Sequence, residues 1–410
     1  MEAGAVTEQP SGADAPRDGG ATAEESEERV TPLELFFDLV FVFAITQVTS
    51  LMSHHPTWVG LGQGLLVLGA VWWAWAAYSW LTNTIDPDEY VARLAMFAAM
   101  TGMFVVALAA PEAFDRYGVL FGCAYLAVRS IHIALYAYAS PTVGVRGAVK
   151  RLAPGVLAGS LLLIVAGTQD GYVQGGLWCL ALALDFGAPL VGNMEGWVLQ
   201  PAHFVERYGL IIIIALGESI VAVGLGLAGV RLHASLIAVA ALALLIAGSL
   251  WWAYFDIVAI AAERKLKSLR GRAQNKLARD SYSYLHFPMI AGIVLLSLGV
   301  KKAISAVHDP LDIVPAVALC GGVALYFAAH IAFRFHNVGS INKQRLLACM
   351  ACLAVIPLAT NGEAIFAVAA IAAVCAILIA YEATRFREAR ARIRAGGLPE
   401  SMMREGITNE

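Results

Sequence analysis

Two carboxylates stand four residues apart in an otherwise apolar run: Glu34 and Asp38 in "LELFFDLVFVFAITQ" (33–47). Four residues is about one helical turn, so both acids project from the same helix face. Like charges one turn apart favour uptake of a proton or a cation between them. Acids near a helix N-terminus also complement its dipole, and Thr31-Pro32 would start this helix. Glu34 fits either role. Asp38, one turn deeper, fits the ion-handling role better.

The same chemistry recurs along the chain. Glu218 sits in "IIIIALGESIVAVGLG" about twelve residues into its apolar run, expected from 206, with Gly217, Gly224 and Gly226 around it. Small residues there allow close helix approach or bending. Tyr125, Arg129, His132 and Tyr136 follow steps of four, three and four, which puts them on one face. Lipid would penalise that face, so it must point inward. Arg129 can hold an internal acid, with Glu218 one candidate, or an anionic substrate. Asp185 in "ALALDFGAPL" precedes Gly187 and Pro189, where a helix can break. Asp256 follows "WWAYF", His286 lies two residues before Pro288, and Tyr326, His330 and Arg334 form a second stripe. An ionised group at a bilayer centre costs roughly 2.5–3.5 kcal/mol on insertion scales. Asp38, Asp185, Glu218 and Asp256 outnumber the one intramembrane arginine, Arg129. That acidic excess points to cation or proton handling.

These residues need elements that hold them in a membrane. The chain has 410 residues, 59% hydrophobic and 14% charged, where soluble domains carry about 25% charged residues. Apolar runs near 18 residues or longer read as membrane helices. Twelve are expected, near 33–53, 58–82, 91–110, 117–139, 150–168, 174–191, 206–229, 233–261, 279–300, 313–335, 344–360 and 363–384. Of the 28 Lys and Arg, Arg116, Arg231, Lys301 and Lys302 fall in one set of loops and Arg129 in a span; the rest lie on the opposite side. The positive-inside rule makes that side, with both termini, cytoplasmic. Residues 1–29 form an acidic, aromatic-free segment expected to be disordered, and 386–410 form a basic tail. The first segment lacks the basic start and apolar centre of a signal peptide, so the first span should double as the insertion signal.

Similar strings recur in order: "GAVWWAWAAYSW" and "GSLWWAYFDIVA", Phe97/Gly102 and Phe287/Gly292, Tyr125/Arg129 and Tyr326/His330, "KRLAPG" and "KQRLLA". Aligning "LELFFDLV" with "VERYGLII" sets Glu206 opposite Glu34. The expected fold is therefore an all-α polytopic membrane protein of about twelve helices, in two parallel six-helix repeats at 30–191 and 192–385. Parallel repeats of this kind place a working site between the halves. All six cysteines lie in apolar runs and read as packing residues, Cys349 and Cys352 included. No Walker loop, HExxH, GxSxG or paired Cys-Cys metal motif is present, so no cofactor, metal or enzymatic reaction is indicated. No basic groove suggests nucleic acid.

"ELFFDLVFVFAITQ", "HFVERYGLIIIIALGESIVAVG", "WWAYFD" and "YLHFPMIAGIV" together resemble the bacterial low-temperature-requirement A family, over roughly 30–385. The resemblance implies a multi-pass protein of the bacterial inner membrane. "FFDLVFVFAIT" is also similar in pattern to the first helix of a family of lysosomal and bacterial potassium channels, with Phe37 in place of that family's Ser. The leading functional expectation is a small-solute or cation transporter coupled to protons. A passive cation channel, a membrane-embedded lipid-modifying enzyme and a non-catalytic stress factor are the alternatives. The partners expected are membrane lipids, the transported solute or cation, and a second copy of the chain.

Overall fold

The computed structural model describes residues 30–139, 143–191, 194, 196–229 and 231–394. The acidic segment 1–29 and residues 395–410 of the basic tail lie outside them. Among the described residues, twelve helices are long and apolar enough to cross a membrane. In chain order the α-helices are α1 (Pro32–His54), α2 (Trp58–Leu81), α3 (Tyr90–Ala109), α4 (Gly118–Ala139), α5 (Val143–Ala166) and α6 (Gly171–Val191). Then come α7 (Pro201–Leu227), α8 (Ala234–Phe255), α9 (Val258–Ser268), α10 (Gly271–Leu277), α11 (His286–Ser305) and α12 (Ile313–Val338). The chain closes with α13 (Lys343–Ala354), α14 (Ile356–Asn361), α15 (Ala364–Arg385) and α16 (Arg387–Arg394). Helices α8 and α9 make one long span, α10 and α11 another, and α13 and α14 a third.

Local signals set the helix starts. Thr31 caps α1: its Oγ1 accepts from Glu34 N at 3.3 Å, and Glu34 Oε2 accepts from Thr31 N at 2.9 Å. This reciprocal pair satisfies two otherwise unpaired N–H groups. Pro201 opens α7, five residues earlier than expected, because proline is pre-shaped for a first helical turn. The consequence is large. Glu218 lies two-thirds of the way along α7 rather than at its middle, and Arg207 falls inside the helix rather than at its rim.

Helix α1 also shows what solvent it was built for. Leu35, Phe36 and Leu39 are exposed, whereas Glu34 and Asp38 are buried. An apolar outside with a polar inside is the arrangement lipid demands. The helices pack in two groups. In the first, α3 lies between α1 and α4, α5 between α4 and α6, and α2 against α1, α4 and α6. In the second, α11 lies between α7 and α12, α13 packs on α12, and α15 on α8. Helix α1 joins the groups through α7 and α11.

The α11–α12 contact is the tightest. A Cβ at Gly322 would fall 2.6 Å from the Gly292 carbonyl oxygen, and one at Gly299 would meet the Leu319 backbone at 2.4 Å. Glycine lets these two backbones touch. Gly321, one residue from Gly322, has only its own turn nearby, with Val317 Cγ1 at 3.6 Å. Gly322→Ala should therefore lose about 1–3 kcal/mol of stability to overpacking. Gly321→Ala should match wild type or exceed it, since alanine is the better helix former. Thermal unfolding of the purified protein in detergent measures both.

Candidate functional site

The buried acids converge on the α1–α7 seam. Arg207, with no exposed surface, donates from Nη1 to Glu34 Oε1 at 2.7 Å and from Nη2 to Asp38 Oδ1 at 2.7 Å. Its Nη1 also reaches Thr82 Oγ1 at 3.2 Å. His203, one turn earlier on α7, places Nε2 3.0 Å from Glu34 Oε2. Trp75 of α2 donates from Nε1 to Asp38 Oδ1 at 2.9 Å, and its ring lies 5.8 Å from the Arg207 guanidinium carbon. Asp38 Oδ2, Arg207 Nε and His203 Nδ1 have no hydrogen-bond partner among the described residues.

The edge of this cluster borders an open cavity. Thr31, Glu34, Thr82–Pro87, Gln200 and His203 line a vestibule of about 450 Å³. Asn83 holds its rim by accepting from Gln200 N at 3.0 Å. The same end of the molecule carries the loop before α7 and the start of α10, tied together by Asn275 Nδ2 to the Trp197 carbonyl at 3.0 Å.

Further along the seam, Thr46 Oγ1 donates to Glu218 Oε2 at 2.5 Å. Asp38 to Thr46 is about 12 Å along α1, and Arg207 to Glu218 about 16 Å along α7. The contacts come in the same order on both helices, so α1 and α7 run parallel. Between the two polar levels lie Phe41, Ile45, Ile211 and Ala215, all buried. Lys301 near the end of α11 is within electrostatic reach of Glu218.

The remaining candidates are placed elsewhere. Arg129 pairs with Asp185, not Glu218: its Nη2 donates to Asp185 Oδ1 at 2.7 Å, and Tyr125 donates to Oδ2 at 2.7 Å. His132 Nε2 faces the Ala77 carbonyl at 3.1 Å. His286 is bonded at both nitrogens, to Tyr254 Oη at 2.8 Å and the Ser281 carbonyl at 3.0 Å. His330 Nδ1 accepts from Arg345 Nη1 at 2.9 Å, and Arg345 also grips Glu382 at 3.0 Å. Asp256 is held by Arg390 of α16. Glu206 is exposed and accepts from Val30 N at 3.3 Å. The inward position beside it is taken by Arg207.

The acidic excess read from the sequence shrinks once these contacts are known. Arg207, Arg345 and Arg390 look like rim anchors in the sequence but bond inward acids. Reading α7 from Pro201 would have brought Arg207 and His203 into the span. What survives is local: Glu34, Asp38 and Glu218 share the seam with one guanidinium. Glu218 is buried, and among the described residues it makes no salt bridge.

The family model described as bacterial low temperature requirement A protein (LtrA) matches residues 29–380. The chain belongs to this family. Among curated proteins, the chain is similar to "Uncharacterized protein RA0937" of Rhizobium meliloti (strain 1021). The two are 29% identical over 308 residues, covering 72% of this chain and 74% of that protein. No solved structure matches it. The matched stretch contains the whole seam, from Glu34 to Glu218, together with Asp185 and Arg129.

The pairing pattern separates two kinds of buried acid. Asp185→Asn should cost about 3–5 kcal/mol, because it strands the Arg129 charge in an interior site. Glu218→Gln removes a buried acid that has no salt bridge among the described residues and keeps an oxygen for Thr46, so it strands no counter-ion and should cost clearly less than Asp185→Asn. Chemical or thermal unfolding in detergent distinguishes them.

Proposed function

We propose that this LtrA protein is a proton-coupled carrier of a small solute, with the ion path along the α1–α7 seam. The observation that carries the reading is the charge imbalance there: three buried carboxylates against one guanidinium. A buried unpaired charge is unfavourable. The seam therefore favours binding of a proton or a small cation. Protons would enter from the vestibule at His203 and Glu34, where an imidazole and a carboxylate touch. Asp38 and Glu218 would carry them deeper, with Thr46 as the hydroxyl partner of Glu218.

Arg207 argues for a carrier over a passive cation channel. Cation pores are lined by carbonyls or acid rings. A fully buried guanidinium bridging both helices repels a free cation along the seam. The apolar stretch from Phe41 to Ile45 likewise requires the helices to part before ions pass. We read the two groups as parallel repeats able to move against each other, a reading supported by the pairings α1–α3, α3–α4 and α4–α5 having counterparts in α7–α11, α11–α12 and α12–α13. We place the vestibule on the cytoplasmic side of a bacterial inner membrane, with both termini there. Lys265, Lys267, Arg270 and Lys276 cluster at that end, as the positive-inside rule requires.

The test is flux in proteoliposomes loaded with a pH-sensitive dye, under proton, Na⁺ and K⁺ gradients in turn, each with amino acids, sugars and organic anions added outside as candidate solutes. Wild type should move protons, and Asp38→Asn and Glu218→Gln should each abolish the flux while the protein stays folded. Flux that survives both substitutions would refute the seam as the path. Steady single-channel currents would favour the channel instead.

A further inference from the structure

A cavity of about 160 Å³ opens where the long span made by α8 and α9 bends. The ends of α12 and α15, the start of α13 and Arg390 of α16 complete its wall. This is the end of the molecule that carries Lys265, Lys267, Arg270 and Lys276. A single water takes roughly 10–15 Å³ on this measure, so the space holds about ten or more heavy atoms. Most of the wall is apolar, with Trp252, Ile257, Phe333 and Phe386 lining it. Trp252 and Phe386 are also exposed. They make an aromatic mouth at a helix end, the level at which such rings border lipid headgroups.

The charged groups on this wall do not cancel. Arg345 gives Nε and Nη2 to Glu382, each at 3.0 Å, and Arg390 pairs with Asp256. Arg334 is the third guanidinium, and the wall holds no third carboxylate. Its Nε donates to Ser340 Oγ at 3.0 Å. Its Nη1 and Nη2 have no hydrogen-bond partner among the described residues, and neither is sealed off, since both keep accessible surface. Arg334 is half-buried, with the Arg345 charge within electrostatic reach. A cation drawn partly out of water beside a second cation favours an anion. The two free ends of a planar fork match two oxygens of one phosphate. The apolar wall and the exposed rings suit a ligand whose remainder is greasy. A phospholipid has both parts. A zwitterionic headgroup would bring an ammonium into a wall already in cationic surplus, whereas a phosphoglycerol headgroup brings none.

We infer that this cavity binds the headgroup of an anionic phospholipid, with its phosphate on Arg334 and its glycerol and first acyl carbons along Trp252 and Phe386. Basic pockets between membrane helices hold lipid phosphates in this way. The site lies in the second helix group, apart from the α1–α7 seam, and stands whether or not the protein is a carrier. Arg390 also lies over the Trp252 ring at 5.8 Å, so α16 forms one side of the mouth and a seated lipid would hold that helix in place.

The experiment is native mass spectrometry of the full-length protein in detergent, titrated with phosphatidylglycerol or phosphatidylcholine, with glycerol phosphate as a soluble competitor. One phosphatidylglycerol should be retained roughly tenfold more tightly than phosphatidylcholine, and glycerol phosphate at equal concentration should not displace it. Arg334→Gln should bring phosphatidylglycerol down to the level of phosphatidylcholine, the loss of charge-assisted hydrogen bonds. Arg272→Gln removes an exposed arginine of α10 at the same end and should bind as wild type does. Ala261→Leu, which fills the cavity without touching an ion pair, should weaken both lipids. Should Ala261→Leu fail to fold, Arg334→Gln decides alone. Equal retention of the two lipids, a preference that survives Arg334→Gln, or one lost equally in Arg272→Gln would each overturn the site. Displacement by glycerol phosphate at equal concentration would make the ligand a soluble phosphate and overturn the lipid assignment.

Discussion

One guanidinium organises the centre of this protein. Arg207 reaches Glu34 with one nitrogen and Asp38 with another, and both acids come from a different helix. Removing a charge this deep from water costs several kcal/mol, and only close, hydrogen-bonded partners offset that. The two α1 acids supply them. Their spacing of four residues is what lets a single forked side chain serve both. The contact therefore sets the register of α1 on α7, and with it the meeting of the two helix groups. It also answers why an apolar helix keeps two acids on one face: that face meets an arginine, a histidine and an open vestibule, while Leu35, Phe36 and Leu39 face outward.

Around this contact the second helix group is fastened to α2 by an irregular segment. Residues Ala278–Tyr284 form a π-helix, with Leu285 N bonding back to the Asp280 carbonyl at 3.2 Å. Wider turns of this kind concentrate at functional positions. Here the segment presents Ser283 to three partners. Its carbonyl accepts from Trp72 Nε1 at 2.9 Å, its hydroxyl accepts from Trp80 Nε1 at 2.9 Å, and Tyr208 Oη lies 3.0 Å from the same hydroxyl. His286 completes the set through Ser281 and Tyr254. Pro288 lacks the N–H a regular ladder would need, which helps release the preceding carbonyls. The seam and this irregular segment are thus connected through one helix, α2, whose tryptophans bond Asp38 and Ser283.

How much of this was legible in the sequence varied with the kind of signal. The twelve spans were, because long apolar runs have no other use in a chain this poor in charge. Glu34, Asp38 and Glu218 stood out for the converse reason, as acids where lipid would be expected. Their partners did not stand out. Arg207 and Arg345 lie within a few residues of basic, polar stretches, where an arginine ordinarily anchors a helix to headgroups. Only the early helix start at Pro201 turns Arg207 inward, and a boundary shift of five residues is below what hydropathy resolves. Arg129 was visible as an intramembrane charge, yet four acids were available to it, and the choice of Asp185 depends on how α4 and α6 pack. Thr46 gave no signal, since a hydroxyl in a membrane helix usually bonds its own backbone. Glu206 stood out as an acid near a helix entrance, but residue type does not fix the helix face, and it lies exposed while its neighbour Arg207 points inward.

The claim on which the rest depends is that Arg207 is held by, and holds, the two α1 acids. The most direct measurement is the unfolding stability of Arg207→Met in detergent, compared with the same substitution combined with Glu34→Gln and Asp38→Asn. The account predicts that the single variant loses about 3–5 kcal/mol, because two carboxylates are left buried without a cation, and that the neutral triple variant recovers much of the loss. A single variant as stable as wild type, or a triple variant no better than the single, would contradict it.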